Sequence, residues 1–254
     1  MFKLMNRYWR IFSTGLSFIV FGLGGLFLSF FVFPIVLVAI QDPLKKKKVI
    51  RKIITLTFRF FMNFMHTLGV IRFKTESIET LHSENSCLLI ANHPTLIDVV
   101  SIIAHCPNAC CIVKEELWSN TYVRKIVQAA GYIPNTDADL MLKRCEEAIS
   151  NGDVLIIFPE GTRTKPNEEP KFQRGAAHIA LMLKCEVRCV EINCSPITLT
   201  KGLPWYRVPS RRADFTLSVR DRINSNDHVL EDMPRPKAAR VITRVFLKQY
   251  CSTP

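Results

Sequence analysis

Residues 11–41 carry no charge, and most of their side chains are apolar. A helix needs about 20 apolar residues to cross a bilayer, so this stretch is long enough to span. Gly22, Gly24, Gly25 and Pro34 lie inside it, which leaves open both a single tilted helix and a broken helix that dips in and returns. The run exceeds the roughly 7–15 residues of a secretory signal core, and no small-x-small cleavage site follows. It is therefore predicted to stay as an anchor. Residues 50–72 then combine Phe58, Phe60, Phe61, Phe64 and Met65 with Arg51, Lys52 and Arg59. That mixture predicts a helix pressed either against lipid or onto the core of the following domain.

From residue 87 the pattern changes to short apolar runs alternating with helix-like stretches. Strands are predicted at Cys87–Ala91, 111–114, 131–133, 153–158, 187–193 and 214–223, the last with alternating Phe215, Leu217 and Val219. Helices are predicted at 95–104, 121–130, Gly175–Leu183 and 238–249. A further helix is opened by Asp137 and Asp139 and stopped by Asn151 and Gly152. Continuous apolar strands between helices predict an α/β fold, a largely parallel sheet flanked by helices, preceded by an N-terminal helical membrane-anchoring motif. The expected division is residues 1–72 for the anchor and amphipathic segment and 73–254 for the α/β domain. In such sheets reactive groups sit just past the carboxyl ends of strands. Residues 201–212 form a Pro- and Arg-rich loop whose Trp205 and Tyr206 can touch lipid or core.

Composition narrows the function classes. With 48% hydrophobic and 22% charged residues, the chain is neither disordered nor a multi-span transporter. Its formal charge of +12 favours a polyanionic partner, nucleic acid or an anionic bilayer. The cations flank the apolar run: Lys3, Arg7 and Arg10 before it, Lys45, Lys46, Lys47, Lys48, Arg51 and Lys52 after it. The larger, C-terminal cluster predicts a main domain on the cytoplasmic face of the membrane, with the lysines acting on anionic lipid headgroups. No nucleic-acid module is recognisable, so nucleic acid is not an expected partner. Nine scattered cysteines suit a reducing compartment. His105, Cys106, Cys110 and Cys111 fit the usual zinc spacings poorly and read as buried thiols on a strand, so no metal is expected.

Two motifs carry chemistry. Asn92-His93-Pro94-Thr95-Leu96-Ile97-Asp98 begins where the strand Cys87–Ala91 ends. Pro94 suits the first position of a helix, which would put His93 just outside it, within reach of Asp98 one turn in. A carboxylate on one ring nitrogen fixes the tautomer and leaves the other to accept a proton. Such a pair is a general base for an alcohol nucleophile. Alone, a histidine in this place serves equally as a helix cap or a satisfied core residue. The second motif, Phe158-Pro159-Glu160-Gly161-Thr162-Arg163, also follows a strand. Gly161 permits a tight turn, and Arg163 offers two-pronged recognition of a phosphate or carboxylate. Glu160 can bind a substrate hydroxyl or orient Arg163.

Together the motifs, 67 positions apart from His93 to Glu160, resemble those of the glycerolipid acyltransferases typified by 1-acylglycerol-3-phosphate acyltransferase. The resemblance runs over residues 50–196 and includes Phe172, Gly175, Ala176 and Pro196. It implies a membrane-bound O-acyltransferase of α/β fold that transfers a fatty acyl group directly, without an acyl-enzyme. His93 would take the proton of a lysophospholipid hydroxyl as it attacks a thioester, and Asp98 would orient His93. Glu160, Gly161, Thr162 and Arg163 would hold the acceptor. The co-substrate would be acyl-CoA or acyl-carrier protein, with no further cofactor; membrane lipids and that acyl donor are the implied partners.

One departure bears on the acceptor. Members acting on lysophosphatidate usually carry an arginine near the end of the segment starting at Gly131, where this chain has Asp137. Arg163 is then the main matched cation, with Lys143, Arg144, Lys171 or Arg174 as substitutes. Another lysolipid or an aminolipid precursor is the alternative acceptor. A basic protein that binds anionic membranes without chemistry would leave both motifs unexplained. A hydrolase lacks the Gly-x-Ser-x-Gly elbow.

Overall fold

The computed structural model describes residues 2–251 except 122, 166, 167, 169 and 231. The apolar segment Cys87–Ala91 is a strand, β2 once the chain is numbered, and it is buried at every position. It lies at the centre because a strand without polar positions must be covered on both faces. The strands are β1 (Ile71–Glu76), β2, β3 (Ala109–Lys114), β4 (Ile133–Asn135), β5 (Val154–Ile157), β6 (Glu186–Ser195) and β7 (Ala213–Asn224). They form one sheet in the order β1-β7-β6-β2-β5-β3-β4. The five strands from β6 to β4 are parallel. Only the β6–β7 pairing is antiparallel, so β1 and β7 run against the rest. The sheet is thus largely parallel, and the carboxyl ends of β2, β3, β4, β5 and β6 share one edge.

Side-chain alternation divides the core between the two faces of this sheet. Cys87, Leu89, Val154 and Ile156 face one cluster, which α3 (Pro43–Thr67) and α5 (Asp98–Ile103) cover. Leu88, Ile90 and Leu155 face the other, covered by α8 (Ala138–Ser150), α9 (Gly175–Leu183) and α10 (Arg235–Cys251). Short helices α4 (Glu79–His82), α6 (Glu115–Ser119) and α7 (Arg124–Ala129) complete the connections. Cys110 and Cys111 lie buried on β3, on opposite faces.

Some boundaries differ from the expected ones. The strand expected at 131–133 starts at Ile133, because Gly131 turns through a left-handed backbone (φ +68). Asp153 stays outside β5 and receives Arg51 at 2.7 Å and Lys47 at 2.6 Å. Strand β1 was not foreseen: four of its six positions are exposed, and it exists because it pairs along its whole length with β7.

The apolar run is one continuous helix. Helix α1 (Phe2–Phe27) passes through a π-helical turn at Leu28–Val32 into α2 (Phe33–Ala39). Pro34 has no N–H to give the preceding turn, and Phe33 N–H reaches Leu28 O, five residues back. The chain reverses only at residues 40–42, and α3 returns beside it. Trp9 Nε1 donates to Leu68 O at 3.0 Å, Phe21 packs on Phe58 and Phe61, and Phe33 shares a buried cluster with Ile50. The segment Met5–Ala39 is the one described helix long and apolar enough to cross a membrane. The boundary expected at residue 72 falls inside β1, and α3 before it shares the core through Phe61, Met62 and Met65.

Candidate active site

At the end of β2, Asn92 extends the sheet with its side chain. Its amide donates to Ile192 O at 2.8 Å and accepts from Ile192 N–H at 2.7 Å. The chain then turns as a loop. The helix expected from residue 95 starts only at Asp98, with Ile97 as its cap, so Pro94 is not a first helical residue. The reason is the Asp98 side chain, which reaches back to accept the Thr95 backbone N–H at 2.7 Å and the Thr95 hydroxyl. A loop closed in this way brings His93 Nδ1 to 2.7 Å from Asp98 Oδ2. The five-residue spacing is met by that loop, not by a helical turn.

Asp98 is fully buried, and the His93 side chain keeps 18% of its surface open. Burial pushes the Asp98 carboxyl above its ordinary range, while the hydrogen bonds from His93 and Thr95 pull the other way. With Asp98 as a carboxylate, which can only accept, Nδ1 donates to it, and in the neutral imidazole Nε2 keeps the lone pair. The Phe158 ring lies 4.3 Å from the imidazole and fixes its plane.

The second motif turns tightly after β5. Gly161 N–H donates to Phe158 O at 3.0 Å with Gly161 at φ +72, a backbone that a side chain would strain. Glu160 is buried; it accepts the His93 backbone N–H at 2.9 Å and the Thr164 hydroxyl. Thr164 N–H in turn donates to His93 O at 3.0 Å. The two motifs are therefore stitched together. Arg163 reaches Leu199 O at 3.4 Å, Leu96 N–H donates to the same carbonyl at 2.9 Å, and Lys201 Nζ donates to Thr162 Oγ1 at 2.9 Å.

A groove of about 590 Å³ opens at this edge, lined by His93, Gly161, Thr162 and Arg163 among others. Its floor is apolar, with Ile112, Ile157 and Ile179. Across the sheet an apolar recess of about 530 Å³, with Val99 and Leu117, shares Val113, Lys114, Ile156 and Phe158 with it. Of the expected acceptor residues, Glu160 alone does not line the groove, and its carboxylate bonds His93 and Thr164 rather than Arg163. None of Lys143, Arg144, Lys171 and Arg174 lines it either, and Arg144 lies over the Trp118 ring.

Sequence reasoning missed Lys114. It lines the groove and pairs in register with Asn135, two positions before Asp137, so it stands close to the place of the absent arginine. Its position at the end of an expected strand was the available signal. Lys201 carried none, because only the fold brings its loop to Thr162.

The fold thus brings an imidazole, a buried carboxylate and the cations Arg163 and Lys114 together beside a half-apolar groove. Residues 72–193, which contain both motifs, match the family Acyltransferase. It is 31% identical over 156 residues to a 1-acyl-sn-glycerol-3-phosphate acyltransferase of Helicobacter pylori, covering 58% of this chain and 64% of that one. It is 24% identical over 185 residues to the human 1-acyl-sn-glycerol-3-phosphate acyltransferase beta, covering 69% and 64%. The match thus spans just under two thirds of each relative. In three dimensions the chain resembles the crystal structure of the 1-acyl-sn-glycerophosphate (LPA) acyltransferase PlsC from Thermotoga maritima, at TM-score 0.66 and 20% identity over 97% of both chains. That likeness of fold takes in the N-terminal helices as well as the sheet.

Proposed function

We propose that this protein moves a fatty acyl group from an acyl thioester, acyl-CoA or acyl-carrier protein, to the hydroxyl of a lysophospholipid such as 1-acylglycerol-3-phosphate. The observation that carries the reading is the His93–Asp98 pair at 2.7 Å, opening onto the groove that Arg163 lines. His93 Nε2 removes the acceptor's hydroxyl proton as that oxygen bonds to the thioester carbonyl carbon. The C–S bond then breaks, and the proton passes from Nε2 to the departing thiolate. Asp98 stabilises the imidazolium in between. Gly161, Thr162 and Arg163 hold the acceptor, with Lys114 and Lys201 adding positive charge beside them. These cations favour a phosphate-bearing acceptor despite Asp137. The relatives named for 1-acylglycerol-3-phosphate support the same choice.

The chain attaches to the membrane along the paired helices α1–α2 and α3, at the cytoplasmic leaflet. Outward-facing Phe27, Phe31, Ile35 and Val38 supply the apolar contact, and Lys45, Lys46 and Lys48 meet anionic headgroups. A helix of 35 residues is about 52 Å long, against about 30 Å of hydrocarbon. Set upright, it would draw α3 and its Arg51–Asp153 ion pair into lipid.

The test is transfer of labelled oleoyl groups from oleoyl-CoA, and from an acyl-carrier protein, to lysophosphatidate, lysophosphatidylcholine and lysophosphatidylethanolamine in membranes. Lysophosphatidate is the expected acceptor, and His93→Ala is expected to lower turnover by about 1,000-fold. Undiminished turnover in His93→Ala removes the base from the mechanism; preference for another lysolipid transfers the chemistry to that acceptor.

A further inference from the structure

Five of the six residues from Phe158 to Arg163 line the groove, and the exception is the acidic one. Glu160 is only 8% exposed. One of its oxygens accepts the His93 backbone N–H at 2.9 Å and the other accepts the Thr164 hydroxyl, while Thr164 N–H donates to His93 O at 3.0 Å. The two peptide groups that flank the His93 α-carbon are thus gripped from one turn, the N–H by a carboxylate and the carbonyl by an amide.

We propose that Glu160 is a positioning residue, which ties the loop after β2 to the turn after β5 and binds no part of the acceptor. The proposal rests on the reading of His93 as the base. Residues 93–96 stand outside the helix, whose first bond runs from Ser101 N–H to Ile97 O at 2.8 Å. The ring plane is set by Asp98 and Phe158, but the height of the ring over the groove is set by its backbone. An ionised acceptor makes the stronger bond to a backbone N–H, which explains a carboxylate at this place. A carboxylate aimed into the groove would instead repel the phosphate that Arg163, Lys114 and Lys201 attract. Misplacing a reacting group by about 1 Å costs on the order of 100-fold in rate, so loosening this tie falls on kcat.

Purified full-length protein in detergent, assayed with lysophosphatidate and oleoyl-CoA, tests this. Glu160→Ala is expected to lose kcat by about 100-fold while both KM values stay within about twofold. Glu160→Gln is expected to recover most of that loss with an unchanged pH profile. Its amide oxygen still accepts from His93, and its NH2 donates to the Thr164 oxygen. Thr164→Val should lower kcat in the same sense and Thr164→Ser restore it, which keeps a readout should Glu160→Ala not fold. Glu160→Gln as inactive as Glu160→Ala, or an acceptor KM that rises with kcat retained, overturns the proposal by assigning the negative charge to substrate. His93→Ala assayed alongside separates this failure from failure of the base.

Discussion

Asp98 has the least exposed carboxylate of the site, and its environment works against its own charge. Burial raises its pKa in the folded protein above the unfolded value, with His93 and Thr95 only partly opposing this. The folded state therefore binds a proton more readily than the unfolded chain. The associated stability is fully present below the unfolded pKa and is lost as pH rises through the folded one. Asp98→Asn removes the group that incurs this loss. The variant is expected to melt at a higher temperature than wild type at pH 7.5, with the difference shrinking as pH falls toward the ordinary carboxylate range. Activity is expected to fall by about 100-fold or more, because an amide cannot hold the imidazole in its working tautomer. Thermal melts across pH, together with initial rates, check both halves. A variant less stable than wild type at every pH would mean that the carboxylate's hydrogen bonds outweigh its burial.

At the scale of elements, the long helix pair is joined to the sheet by one buried ion pair. Arg51 on α3 meets Asp153 at 2.7 Å at the foot of β5, and it also donates to Ala130 O at 2.7 Å and Asn108 O at 3.2 Å. One guanidinium thus closes the entries to β3, β4 and β5. Arg51→Met leaves Asp153 buried with Lys47 as its remaining partner and should cost about 3 kcal/mol in urea unfolding. Asp153→Leu added to it should restore much of that loss, since an apolar pair replaces a stranded charge. No recovery in the double variant would locate the effect in the carbonyls of Ala130 and Asn108 instead. The loop between β6 and β7 makes a second joint. It touches the site through Leu199, Thr200 and Lys201. It touches α1 through Trp205, which packs against Gly15 and Phe18, and through Arg10, which donates to Pro209 O and Ser210 O. Of the two aromatics in this loop, Trp205 and Tyr206, Trp205 packs on α1.

At the scale of the molecule, the second joint pins α1 to the α/β domain near one end, and Phe33 of α2 packs with Ile50 and Ile126 near the other. On the proposed membrane attachment, a helix so held lies along the bilayer surface and keeps the N-terminus on the same side as the domain. Tags at the two termini, probed by protease in sealed membrane vesicles of known orientation, should be cut from the same side. Tags cut from opposite sides would mean that residues 5–39 cross the bilayer, with α1–α2 detached from α3.

Much of this molecule was legible in its sequence because the information is local. Apolar continuity marked β2, β5 and β6 as interior strands, Asp137 and Asn151 bounded α8, and the two motifs followed strand ends where a parallel sheet exposes its reactive edge. The run from 11 to 41 declared itself apolar whatever its path. Partnership was not local. Strand order placed Lys114 beside Asn135, near the gap left by a missing arginine, and a loop after β6 carried Lys201 to Thr162. Pro94 suggested a helix start that the Asp98 carboxylate overruled by closing a loop onto Thr95. Glu160 has the composition of a substrate ligand, yet the fold turned it inward to His93 and Thr164. The sequence by itself determined the fold class, the anchor's character and the pair of motifs, since periodicity and motif spacing act over a few residues. Tertiary structure alone decided which cations face the groove, what Glu160 holds and where the apolar helix lies, because each of these depends on groups tens of residues apart competing for one place.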